Sequence, residues 1–322
     1  MTVFDPFELT HQLPNHFGFG GLDRDTLNRE NNDFVGSILG DEFTRLVPIW
    51  RSKNLFSKFG EDIVKPEPLF LNANDFKEFL KISNDYVYLG KHNLEGKKFS
   101  YLAIDISSLD EDKAKSNLPK NAKFVDLREV SPLIDGMEGS ILAYAKAMLF
   151  WHSRNSFCSV CGTNTFSTKA GHQRNCTNNV CNSSHFPRID PAVIMLVKDN
   201  KKILLGRQKA WPRGLYSTLA GFVEPGETIE HAVAREVFEE SGLIVKNVTY
   251  KYSQPWPFPT SLMLGFTAEA ITNKISCNDF EIEDAQWFSR EDILNFEKNK
   301  KFLPRKLSVS RRLIEDWLNG YL

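Results

Sequence analysis

Apolar residues follow two rhythms along this chain, and the change between them marks where its elements begin. In the first half, residues 43–50, 86–89 and 99–106 are short apolar runs bounded by Asn, Asp, Gly and Lys clusters, which predicts strands. Residues 139–154, rich in Ala, Leu and Met, predict a helix. Beyond Cys181 the pattern alternates, with strands predicted at 192–197, 202–205, 248–252 and 262–269. Helices are predicted at 228–241 and within 302–319. That order predicts a mixed sheet with helices packed on both faces. The chain carries no internal repeat and no low-complexity linker.

The helix at 228–241 has Thr228 as its N-cap and Gly242 to end it. Glu236, Glu239 and Glu240 are spaced i, i+3, i+4 and fall within one arc, which Ile229, Ala232 and Val233 share. A face that begins apolar and ends in three carboxylates is expected to line a cleft rather than to face solvent. Crowded carboxylates raise one another's pKa unless a cation sits among them, and oxygen-only ligands favour Mg²⁺ or Mn²⁺ over zinc. The loop 221–226 supplies two glycines and Pro225, allowing close backbone approach to a ligand. Glu227 and Arg235 are placed to pair and hold that loop against the helix. A charged surface helix is the plainer alternative for a Glu-rich segment.

Composition narrows the field. The chain has 322 residues, 41% hydrophobic, enough for a sizeable core and two or three domains. A net charge of −1 provides no global field for nucleic acid or anionic membrane. No apolar run approaches the roughly 20 residues of a membrane helix, and the start, MTVFDPFELTHQL, lacks the basic and apolar segments of a signal peptide. The C-terminal residues are not a Ser-Lys-Leu address, so a cytoplasmic location is expected.

Four of the five cysteines are paired. Cys158 and Cys161 are followed after fourteen residues by Cys176 and Cys181, with Gly162 and Gly171 as turns. This spacing reads as a zinc ribbon in which four thiolates close a tetrahedron around one structural zinc. Two disulfides are the alternative, disfavoured in a reducing compartment. Cys277 stands apart.

Residues 253–261, Ser-Gln-Pro-Trp-Pro-Phe-Pro-Thr-Ser, hold three prolines and two aromatics, which excludes a central strand or a helix interior. Stiffened by proline, such a loop suits recognition of a flat base with polar edges, or packs on the core as a plain turn.

The stretch 221–243, GFVEPGETIEHAVAREVFEESGL, resembles the Nudix box of enzymes that hydrolyse nucleoside diphosphates linked to another group. It matches at every defined position, with His231 where many relatives place a capping glutamate. The proline-aromatic loop resembles the SQPWPFPxS motif of the NADH pyrophosphatase subfamily, which includes enzymes that remove NAD caps. Residues 21–24, 186–191 and 310–315 also look like subfamily segments.

What this resemblance implies is specific. Divalent ions would be held by Glu236, Glu239, Glu240, the Ala220 carbonyl and Glu281, which lies four residues before Ala285 of an A-x-W-[FY] segment; Glu283 is a nearby competitor. Phe222 matches an aromatic that stacks on nicotinamide. Phe186 stands where some relatives have tyrosine, and Ser310 where some have alanine making a backbone contact. Substrate contacts are further implied for Gln254, Pro255, Trp256, Pro257, Phe258, Pro259, Thr260 and Ser261. Arg128 matches a substrate arginine and reads equally well as a surface arginine. Glu239 and Glu240 are both candidates for the general base, and the family forms homodimers.

The fold class expected is α+β, divided into an N-terminal mixed domain (1–150), a zinc ribbon (151–188) and a C-terminal Nudix α/β/α sandwich (189–322). The activity implied is hydrolysis of the diphosphate of NADH and NAD⁺ to nicotinamide mononucleotide and AMP, extending to NAD-capped RNA. A broader hydrolase such as an ADP-ribose pyrophosphatase, or a nucleotide-sensing Nudix protein without activity, is the alternative. Sequence leaves open the choice between free NADH and capped RNA, between Mg²⁺ and Mn²⁺, and the role of the N-terminal domain.

Overall fold

The computed structural model describes residues 14–18, 21–31, 33–57, 65–82, 86–94, 96–116, 118–134, 136–277 and 281–322. The first thirteen residues, read above for leader character, lie outside the described residues. Contacts divide the chain into two units. One runs through Arg188 and includes Pro257–Thr260; the other holds Ile189–Trp256, Ser261–Leu322 and residues 14–18.

The first unit is built on a seven-stranded sheet. Its centre is β1 (Thr44–Trp50), paired antiparallel with β2 (Lys53–Ser57) and parallel with a strand that is itself antiparallel to β3 (Tyr86–Leu94). That parallel partner is β4 (Lys97–Asp105). β1 is buried at nearly every position, the continuous apolar pattern of a strand covered on both faces. Leu46, Leu55, Phe79, Tyr88, Leu102 and Ile104 form the core. Helix α1 (Gly136–Arg154) starts three residues earlier than its sequence pattern predicts. A small three-stranded sheet follows in the same unit, β5 (Thr165–Thr168), β6 (Gln173–Cys176) and β7 (Ser184–His185), with β6 in the middle. Buried Arg174 of β6 donates to His152 Nδ1 of α1 at 2.7 Å, and His152 Nε2 meets the Gly171 carbonyl at 2.8 Å. With Nδ1 accepting from a guanidinium, the Nε2 nitrogen carries the proton.

The second unit is a six-stranded mixed sheet. β8 (Asp190–Asp199) pairs antiparallel with β9 (Lys202–Gln208) and with β10 (Leu219–Phe222). Helix α2 (Ile229–Ser241) follows, then β11 (Val245–Trp256), β12 (Ser261–Ala270), β13 (Ile282–Ser289) and helix α3 (Val309–Leu318). β12 runs parallel to β8, while β11 and β13 form the two edges. Alternation along β8 sends Val193, Met195 and Val197 to the face covered by Ala232, Val233 and Val237 of α2. Leu196 goes to the opposite face, under Leu313, Ile314 and Trp317 of α3. Each such buried side chain contributes about 1.5–3 kcal/mol, so the sheet is held from both sides. This is the expected α+β sandwich.

One strand expectation needed correction. β11 is twelve residues long, against the five predicted, and it runs through Pro255, which pairs with Leu262. Proline is tolerated there because β11 is an edge strand, where a missing N–H leaves no neighbour unsatisfied. The helix expected within 302–319 is α3, from Val309 to Leu318, and Phe302 ahead of it bridges Leu215. Among the described residues, no helix is long and apolar enough to cross a membrane.

Candidate active site and metal centres

Helix α2 is placed by its caps. The Thr228 hydroxyl accepts from the His231 N–H at 3.3 Å, and Gly242, at φ 69°, closes the helix through its N–H to the Phe238 carbonyl at 2.8 Å. The inward stripe of Ala232, Val233 and Val237 fixes the rotation, and that rotation grades the three glutamates. Glu240 is 2% exposed, Glu236 is half-buried, and Glu239 faces solvent. The sequence reading made them equivalent; packing makes them unlike.

Arg235 is the hub of the cluster, and every one of its five N–H groups is engaged. Nε and Nη2 grip the Glu227 carboxylate at 2.6 and 3.0 Å, and Nη2 also donates to the Phe222 carbonyl at 2.8 Å. Nη1 donates to Glu236 at 2.8 Å and to Glu239 at 2.9 Å. The forked contact is strong and directional, so one side chain ties β10, the loop and the helix together. Hydrogen bonding to Arg235 holds the Glu227 carboxyl down at about 2, and the same contact raises the Arg235 guanidinium above its usual value.

Glu236 is the crowded carboxylate of the cluster. Burial pushes its pKa up, Arg235 opposes this, and the charges of Glu239 and Glu281 push it further up. Glu281 therefore stands within the field of the helix carboxylates. Its competitor Glu283 is paired with Arg207, while the Gln208 amide donates to Glu281. Gly221, opposite Val193 in the β10–β8 ladder, completes the cradle: a Cβ there would lie 1.9 Å from the Glu236 Cδ. Ala220 precedes it in the same strand. The donor set is all oxygen and suits a hard divalent cation. Phe222, one residue on, is 60% exposed.

The proline-aromatic segment divides. Gln254, expected to face a ligand, is fully buried: Nε2 donates to the His16 and Leu307 carbonyls at 3.1 and 2.7 Å, and Oε1 accepts from the Val309 N–H at 2.8 Å. Its amide is occupied in holding β11 to the start of α3, because an unpaired buried amide would be strongly destabilising. Trp256 meets Phe17 edge-on at 6.4 Å, Pro255 and Ser261 face each other's strands, and Pro257 is buried. Ser310 is also inward, its hydroxyl 2.8 Å from those of Ser217 and Thr218. In the first unit, Phe258 lies beneath the Arg128 guanidinium at 4.5 Å and the Lys146 ammonium at 5.3 Å, a cation–π arrangement; Pro259 and Thr260 follow it. Phe186, beyond β7, is 64% exposed.

The four cysteine sulfurs lie within 4.8 Å of one another, with Cys158–Cys181 at 3.8 Å and Cys161–Cys176 at 3.4 Å. Metal–sulfur bonds of about 2.3 Å in a tetrahedron require sulfur separations of this size. The Asn178 N–H and the His185 ring approach Cys176 and Cys158 at 3.3 Å each, and burial pushes the Cys176 thiol up, a penalty that a bound cation reverses. The arrangement fits a closed, structural metal site.

Comparison with known proteins accords with this geometry. Residues 188–311 match the NUDIX domain, and residues 44–151 match the NADH pyrophosphatase-like rudimentary NUDIX domain. Human NAD-capped RNA hydrolase NUDT12 is 34% identical over 366 aligned positions, covering 97% of this chain and 76% of that protein. The chain belongs to the Nudix hydrolase family. This Nudix protein is also 33% identical to the NAD-capped RNA hydrolase of Schizosaccharomyces pombe, covering 98% and 96% of the two chains. NAD-capped RNA hydrolase NudC of Mycobacterium bovis is 42% identical, covering 61% and 66%.

Sequence reasoning missed three contributors to this Nudix protein's sites. Gln208 reaches Glu281 only because β9 and β13 shift register after Arg207. The reach of Arg235 to Glu236 and Glu239 is foreshadowed by their i+1 and i+4 spacing, but not its bond to the Phe222 carbonyl. Lys146, buried on α1 with its ammonium on the Ser52 carbonyl at 2.8 Å, is hidden in an apolar helix pattern.

Proposed function

We propose that this chain hydrolyses the diphosphate of NADH and NAD⁺ to nicotinamide mononucleotide and AMP, and removes NAD caps from RNA. The observation that carries the reading is the set of α2 carboxylates, with Glu240 buried and Glu236 in the field of Glu239 and of Glu281. The names of the relatives support the choice of substrate. Glu236, Glu239, Glu240, Glu281 and the Ala220 carbonyl would hold Mg²⁺ or Mn²⁺. When bound, such a cation neutralises the diphosphate and acidifies a water. Arg235 keeps Glu236 and Glu239 in register, and Glu239 or Glu240 takes the proton as water oxygen bonds to phosphorus and the anhydride oxygen leaves. Phe222 offers its exposed face to the nicotinamide ring.

The ribbon cysteines would hold one zinc with a structural role. Residues 1–150, 151–188 and 189–322 serve in this proposal as N-terminal domain, ribbon and catalytic domain. A homodimeric state, resting on the family resemblance and tested by light scattering, belongs to it as well, as does the cytoplasmic residence expected from the sequence. Changing Glu240→Gln removes charge while keeping shape. Losing a metal ligand of this kind forfeits several kcal/mol of transition-state stabilisation, so NADH turnover should fall about 10²-fold or more. Circular dichroism and zinc content should stay as in the parent. Near-parental turnover by Glu240→Gln would rule the reading out.

A further inference from the structure

The net charge of −1 conceals a local concentration of cations in the second unit. Residues 208–215 (QKAWPRGL) and 297–306 (EKNKKFLPRK) carry seven lysines and arginines against one acid, Glu297. The fold brings the two loops together. Tyr216 N–H donates to the Phe302 carbonyl at 3.1 Å, and Phe302 N–H donates to the Gly214 carbonyl at 2.9 Å. Contact is so close that Gly214, at φ 93°, has room for no side chain: a Cβ would sit 2.3 Å from the Lys300 carbonyl oxygen. The first loop is stiffened further by the buried Arg207, whose Nη2 donates to the Trp211 carbonyl at 3.3 Å.

Not all seven cations face outward. Lys301 turns in over the Tyr216 and Phe288 rings at 4.9 and 4.6 Å and reaches Gln286. Lys209, Arg213, Lys298, Lys300 and Lys306 are exposed, and among the described residues none of them has an ion-pair partner. Phe302, 41% exposed, lies among them, with half-buried Trp211 on the other loop. Unpaired cations alternating with aromatic faces are what a single-stranded polynucleotide needs, its phosphates meeting charge and its bases meeting rings.

Both ends of this surface lead to the carboxylate cluster. Lys209 follows Gln208, whose amide holds Glu281, at one Cα step of about 3.8 Å. At the other end the second loop leads into Ser310, whose hydroxyl bonds Thr218, two residues ahead of Ala220. The two loops therefore adjoin residues of the carboxylate site, the first through Gln208 and the second through Ser310.

We infer that the loops 208–215 and 297–306 form a cationic track for the first nucleotides of a single-stranded RNA whose 5′ diphosphate occupies the carboxylate site. The inference rests on the hydrolase reading above and decides which of its substrates the chain is built to hold. Free dinucleotide ends at its adenosine, the first nucleotide of the capped RNA, and gains nothing from a track that holds the phosphates beyond it.

The test compares NADH with a short, unstructured 5′-NAD-capped oligoribonucleotide on the full chain under one divalent metal. Four phosphate contacts on a single strand give a log–log salt slope of about −2.8, so kcat/KM for the capped RNA should fall about fifty-fold between roughly 50 and 200 mM salt. The NADH value should change far less. The variant Lys209→Ala/Arg213→Ala/Lys300→Ala/Lys306→Ala should flatten the RNA slope to that of NADH and lower RNA kcat/KM at low salt at least tenfold. Its NADH kcat/KM should remain within about twofold, which also reports that it is folded. A variant that keeps the parental salt slope on RNA, or loses NADH and RNA activity equally, overturns the track. Equal, shallow slopes for both substrates in the parent overturn it too while leaving the hydrolase reading intact. A parent that cleaves neither substrate sinks the hydrolase reading itself.

Discussion

Replacing Gly221 by alanine perturbs the site through one atom. The added Cβ would stand 1.9 Å from Glu236 Cδ and 2.0 and 2.2 Å from its oxygens, so the carboxylate must retreat by about 1.5 Å to reach ordinary contact near 3.4 Å. Gly221 has no positive φ to protect, and the obstacle is the end of a side chain rather than backbone. The fold should therefore yield cheaply: one displaced rotamer and the strained 2.8 Å bond from Arg235 amount to about 1 kcal/mol, or roughly 2–4 °C in Tm. Function should not. A displacement of about 1 Å at a reacting centre can lower rate about 10²-fold, and Glu236 is a proposed ligand. The assay is kcat/KM for NADH across a metal titration, beside thermal melting. Low activity with a near-parental melt is the expected result. Near-parental activity would show that Glu236 is not a ligand, and a collapsed melt would show that the backbone, not the carboxylate, gives way.

Metal analysis of purified protein should find about one zinc per chain, and Cys176→Ser should lose it and destabilise the ribbon, since a structural site contributes directly to folding. Zinc-free protein with Cys176→Ser as stable as the parent would defeat the cysteine-site reading. Phe222→Ala should lower kcat/KM about tenfold more for NADH than for ADP-ribose, because ring stacking contributes on the order of 1 kcal/mol. Equal losses would make Phe222 a loop support. Burial lowers the His172 pKa to about 4 from 6.5; the ring's hydrogen bond to the Tyr88 carbonyl at 2.7 Å opposes the shift, and the charges of Arg29 and Arg24 add to it. The unfolded chain then binds the extra proton first, so stability present above pH 6.5 is lost as pH falls toward 4, by about 3 kcal/mol at most. His172→Gln should flatten that acid limb in urea melts; an unchanged limb would refute it.

Periodicity and local chemistry were enough to place helix α2, its Thr228 and Gly242 caps, the i, i+3, i+4 glutamates and the Glu227–Arg235 pair, because each depends on residues close in the chain. The cysteine pairs were legible for a related reason: spacing alone limits where four sulfurs can meet. What tertiary structure decided lies across long sequence separations. The rotation of α2 under β8 buried Glu240 and left Glu239 in solvent, a grading no helical wheel contains. Gln254 looked like a ligand contact in its proline-rich motif, yet β11 turned it inward against Leu307 and Val309, more than fifty residues away. The register shift after Arg207 chose Glu281 for Gln208 and left Glu283 to Arg207. Likewise the loops at 208–215 and 297–306 are unremarkable basic stretches until Gly214 lets their backbones touch. A one-dimensional pattern reports which side chains share a face; only packing decides what that face meets.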